Sequence, residues 1–151
     1  MTAASASLPF RVLGTAWIIS GGLTAAVTGP LQLEDGSWAA AFAVLIAGVA
    51  QYAIGVAQSA LAGQASQRAA VGELVAWNAG SVAVILGTVV TLPLIVDFGG
   101  LLLVVALALM VVTVRGKGAG PTWARWTYRI VLVVILVSIP IGLVLAHVRA
   151  G

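Results

Sequence analysis

The chain has no cysteine, one histidine and only four acidic residues among 151. Without cysteine there are no disulfide frameworks, thiolate metal sites or cysteine nucleophiles. His147 stands alone, so neither a His-based metal site nor a two-ligand haem arrangement can be assembled, and a Ser-His-acid triad lacks its parts. Charged residues of both signs amount to 7%, against about 25% in soluble domains. That shortage excludes a water-soluble globular domain.

What the chain has instead is apolar length. Hydrophobic residues make up 62% of it, and a helix crossing the hydrocarbon core needs roughly 20 of them in a row. Five stretches qualify, at about 10–29, 38–62, 69–92, 98–114 and 127–148, separated by Gly, Pro or charge. The expectation is an all-α integral membrane bundle of five transmembrane helices in a single domain covering 1–151. The fourth stretch is the shortest, and a re-entrant segment would have a similar composition. Charge decides for a crossing, because Lys and Arg collect in short cytoplasmic loops. With the N-terminus inside, Arg11, Arg68, Arg115, Lys117, Arg125 and Arg129 are cytoplasmic and only Arg149 is outside; Glu34, Asp35 and Asp97 fall in outer turns. The expected location is the plasma membrane, with the C-terminus outside. Residues 1–9 carry no basic side chain, which argues against a cleaved signal peptide, and 1–8 are expected to fray.

The two outer turns resemble each other. Thr28, Pro30, Leu31, Glu34 and Gly36 match Thr91, Pro93, Leu94, Asp97 and Gly99 at a constant offset of 63 residues. One reading is duplication of a helical hairpin, giving two hairpins in parallel repeat plus a C-terminal helix. The other is convergence on turn chemistry, with Pro ending a helix and Gly reversing the chain.

Small residues mark the expected helix contacts, since lipid provides little hydrophobic drive between helices. Steps of three and four join Gly14, Trp17, Gly21, Thr24 and Thr28 in the first helix. The second offers Ala41, Val44, Gly48, Gln51, Gly55, Gln58 and Ala62, and the third Glu73, Trp77, Gly80, Val84, Gly87 and Thr91. The fourth, mostly Leu and Val with Gly99, Ala106 and Thr113 on one face, is expected to show lipid a broad surface. Pro140 bends the fifth and frees the carbonyl of Leu136, for which Ser138 is the nearest donor.

Glu73 is the only acid well inside a span, and an intramembrane ionisable group is a functional candidate by default. Structural pairing, with Arg11, Arg68 or Arg129, is preferred over proton or cation handling. Gln51 and Gln58 are read first as interhelical hydrogen-bonding residues and second, with Glu73 and Asn78, as the lining of a solute or proton path. Trp123, Arg125, Trp126, Tyr128 and Arg129 form a headgroup-level belt, rings at the interface and guanidinium groups towards anionic lipid. The Gly-rich run after Arg115 lacks the Gly-x4-Gly-Lys-Ser/Thr spacing of a phosphate loop. No nucleic-acid partner, metal or cofactor is expected. The expected partners are the bilayer and either another membrane protein or further copies of the chain.

Three functions fit this inventory, in order. An accessory or assembly protein working through helix contacts comes first, because the charged inventory is thin and the loops are short. A small oligomeric transporter or channel using Gln51, Gln58, Glu73 and Asn78 comes second. A lipid- or quinone-modifying enzyme comes last, since Glu73 and Asp97 fall at opposite faces.

Overall fold

A computed structural model describes residues 3–61, 66–114 and 121–150, with side chains at 7–61, 66–114, 121–141 and 144. The readings on Ala62, on the loop bases Arg115 and Lys117, and on the side chains of His147 and Arg149 lie outside the described residues. The described chain is helical: α1 (Ala3–Leu31), α2 (Gly36–Leu61), α3 (Gln67–Val89), α4 (Pro93–Thr113) and α5 (Thr122–Ala150). Each is long and apolar enough to cross a bilayer. The short fourth stretch qualifies because Pro93 opens the helix, where its missing N–H costs nothing, and the helix reaches 21 residues.

α1 packs along α2 and α3 along α4 as two antiparallel hairpins; α5 lies against α4 and touches α2. Glycines set both hairpin seams. A Cβ built on Gly14 would lie 2.9 Å from the Gly48 carbonyl oxygen, and one on Gly80 the same distance from that of Gly99. Side chains at these positions would drive the backbones apart.

Four expectations change here. Residues 3–8 are helical rather than frayed: Ser7 and Phe10 are buried, and Phe10 packs so closely on Gly55 that a Cβ there would approach it to 2.7 Å. Docking of this turn outweighs the one hydrogen bond that Pro9 removes. In α2 the expected seam holds at Gly48, Gln51, Gly55 and Gln58, all buried, and Val44 packs on Gly21, but Ala41 is exposed and a row Ala39, Ala43, Ala47 is buried beside it. The cause is a π-wound segment, Ala43–Ala50, whose wider turns stretch the buried period to four residues. α4 is not the lipid-facing helix. Of its apolar stretch 39% is buried, against 11% for α1 and 17% for α5, because Gly99, Gly100, Leu103, Ala106 and Met110 all face inward. Ser138 bonds the carbonyl of Ile135 at 2.6 Å, not that of Leu136.

The turns are alike, but not in the register of the sequence match. Gln32 (φ 50°) and Thr91 (φ 53°) are the left-handed residues. In each turn the residue after it bonds back five positions, Leu33 to Thr28 and Leu92 to Gly87, and the left-handed residue itself bonds back three. This is the Schellman helix end. Matching these residues gives an offset of 59, not 63, and puts Pro30 in the last turn of α1 but Pro93 at the start of α4. Gly36 and Gly99, expected to reverse the chain, instead begin α2 and pack α4 against α3. The aligned Thr, Pro and Gly therefore do different work in the two turns, as convergence predicts.

Candidate functional site

The two hairpins meet chiefly through long side chains, and the polar members of that contact form the candidate site. Glu73 (0% exposed) projects from the first half of α3. Gln58 of α2 donates through Nε2 to Glu73 Oε2 at 2.6 Å, and Thr113, at the end of α4, hydrogen-bonds Glu73 Oε1. Tyr128 of α5 completes the group. Its hydroxyl lies 3.4 Å from Gln58 Nε2, from which it accepts, and 3.4 Å from the Met110 carbonyl, to which it donates. One carboxylate and one amide thus tie four helices together.

Proton bookkeeping shows what this arrangement can do. The single hydroxyl proton of Thr113 has two acceptors in reach, Glu73 Oε1 and the Leu109 carbonyl at 3.0 Å. Given to Glu73, it serves a charged carboxylate; given to Leu109, it leaves the Thr113 oxygen free to accept a proton that Glu73 itself carries. Both forms of Glu73 keep a partner on each oxygen.

The expected residues divide into three groups. Gln58 and Glu73 meet directly. Gln51 is buried on the same seam but separate, its Nε2 reaching the Phe10 carbonyl at 3.4 Å and its Oε1 unpaired. Asn78 belongs elsewhere: it accepts from Trp17 Nε1 at 2.7 Å and donates to the Leu74 carbonyl, joining α3 to α1. Pairing of Glu73 with a base is not what is found among the described residues; Arg11 instead lies over the Tyr52 ring, 5.5 Å from its centroid. In the belt, Trp123, Trp126 and Arg129 are exposed, and Arg125 is half-buried with its Nε unpaired. Tyr128 is a correction. It is 5% exposed and points into the bundle, because it sits one helical turn before Leu132 on the inward stripe.

Thr113 was missed as a site residue, although it is the one hydroxyl on the inner face of α4 and stands at Glu73's depth in an antiparallel hairpin. Two further buried polar atoms, Trp77 Nε1 and Ser81 Oγ, have no partner. They follow Glu73 by four and eight positions along the same face of α3.

Tyr128→Phe is expected to remove the link between α5 and Gln58 at a cost of about 0.6 to 1.5 kcal/mol, without unfolding the hairpins. A small drop in the unfolding midpoint in detergent checks it, and an unchanged midpoint would show that Tyr128 only fills space. No protein-family model matches this chain, and no curated protein or solved structure is found to be similar to it.

Proposed function

We propose that this chain is a membrane accessory or assembly protein that works by lateral docking of helices. The supporting observation is on α1. Gly14 and Gly21 point into the hairpin seam, whereas Gly22 and Gly29 are exposed, and a Cβ added at either would meet nothing within 4 Å. With Ala25 and Ala26, also exposed, they give the outer side of α1 a second small-residue stripe. Glycine in a helix interior costs about 1 kcal/mol relative to alanine, and packing inside this bundle does not require these two. In lipid, such a stripe is where another helix backbone can approach. The interior cluster fits the same reading as a clasp that holds the scaffold in shape. The basic ends of α1, α3 and α5 then face the cytoplasm of a plasma membrane.

Gly22→Leu with Gly29→Leu is expected to leave the purified protein folded and to abolish its association in membranes, read as loss of co-purification or of energy transfer between labelled chains. Loss of a companion protein identifies an assembly factor; loss of self-association identifies a homo-oligomer. Unchanged association would sink the reading.

A second reading, a small transporter, is favoured by the unpaired buried atoms Gln51 Oε1, Trp77 Nε1 and Ser81 Oγ. Trp77 and Ser81 continue the face of α3 that carries Glu73, and Gln51 lies two turns before Gln58 on α2. Unpaired polar atoms of this kind are satisfied by water or solute.

A further inference from the structure

We propose that the groove between α4 and α5 holds one acyl chain of an anionic phospholipid, with the lipid phosphate at Arg129 and Arg125. The groove is apolar, lined by Val104, Ala108 and Val111 from α4 and Leu132, Val133 and Leu136 from α5. It opens where the small side chain of Ala108 leaves a gap between two otherwise Leu- and Val-rich helices. Its lining reaches Leu132, within one helical turn of Arg129 near the basic end of α5. Arg129 precedes Val133 by four residues and Leu136 by seven, so all three share one helical stripe. At 1.5 Å per residue, Arg129 stands about 10 Å above Leu136, which puts a phosphate at the guanidinium and the first half of an acyl chain in the groove.

Charge points to the occupant. From Phe98 to the last residue the sequence has no Asp or Glu, and four of its bases, Arg115, Lys117, Arg125 and Arg129, lie between the fourth and fifth apolar stretches or at the start of the fifth. The nearest acid in the bundle, Glu73, is engaged by Gln58 and Thr113. Arg125, one turn before Arg129, is half-buried with its Nε unpaired. Trp123 and Trp126, 72% and 59% exposed, alternate with the two arginines along the first turns of α5, at the depth where indoles favour the headgroup layer. A second copy of the chain would bring the same basic end and no acid to meet it. A zwitterionic lipid would fill the groove but set its own ammonium group against the arginines.

The full chain, purified in mild detergent, is mixed with phosphatidylglycerol or phosphatidylcholine of identical acyl chains and examined by native mass spectrometry. One phosphatidylglycerol per chain is expected to be retained in preference to phosphatidylcholine. Arg129→Gln should lower that preference on the order of fivefold, one basic contact's worth, and Ala108→Phe should expel both lipids. A diazirine-bearing acyl chain on phosphatidylglycerol, used on the unaltered protein, should cross-link within 104–112 and 132–136 whether or not the variants fold. Equal retention of the two lipids, cross-links elsewhere, or a second protein chain cross-linked across the groove would each overturn the assignment.

Discussion

Gly80→Val is expected to separate α3 from α4 and to leave little folded protein. A Cβ at this position would fall 2.9 Å from the Gly99 carbonyl oxygen and 3.1 Å from the Leu103 amide nitrogen. Both obstacles are backbone, so no rotamer change relieves them and the helix axes must part. The reciprocal contact is as tight, since a Cβ on Gly99 would approach the Val84 amide nitrogen to 2.7 Å. Overpacking of a close interface costs about 1 to 3 kcal/mol and sometimes more; here backbone meets backbone on both sides of the seam, so the upper end is expected. Loss of the folded fraction in a detergent or steric-trapping titration is the readout. Gly72→Ala on the same helix is the control. The nearest atom to its new Cβ is the flexible Leu109 Cδ1 at 3.7 Å, so it should be neutral, or stabilising by up to about 1 kcal/mol through helix propensity. Equal damage from both variants would mean that close approach at Gly80 is not what holds the hairpin.

Glu73 carries the second large effect. Glu73→Leu removes the acceptor for Gln58 and one of two acceptors for Thr113, whose hydroxyl keeps the Leu109 carbonyl, and leaves a buried amide facing hydrocarbon. Interhelical hydrogen bonds in membrane proteins average about 0.6 kcal/mol and reach about 1.7; with two lost and Gln58 left without its main acceptor, a loss of about 2 to 3 kcal/mol is expected. Glu73→Gln should behave differently. Its amide oxygen can accept from Gln58 while its NH2 donates to Thr113, whose own proton then goes to Leu109, so most of the stability should remain. That variant also separates the two functional readings. Reconstituted in vesicles, it should conduct protons and solutes no differently from the parent protein if the cluster is a clasp. Selective loss of flux with stability intact would transfer the weight to the transporter reading.

Why some of this was legible in the sequence follows from particular residues. The length of each apolar run and the near absence of charge determine five membrane-length helices, because the bilayer sets how many residues a span needs and backbone groups in hydrocarbon must bond within their own helix. The seam glycines were legible too, through the three- and four-residue spacing of Gly14 with Gly21 and Gly80 with Gly87. Glu73 and Gln58 announced themselves as polar groups in apolar company.

Only the tertiary structure decided which polar groups meet. Thr113 and Tyr128 lie 40 and 55 residues from Glu73, and their depth and facing depend on helix phase, which no local pattern carries. The π-wound stretch widened the buried face of α2 with Ala43 and Ala47 and left Ala41 outside it, while Gly48, Gln51, Gly55 and Gln58 stayed inward. The turn match misled because one Thr-Pro-acid-Gly vocabulary serves either side of a helix end. Composition determines that the helices are long and apolar enough to cross; the rotation of each about its axis is settled by the neighbours that cover it, and that rotation is what turned a tyrosine expected at the interface into part of a buried cluster.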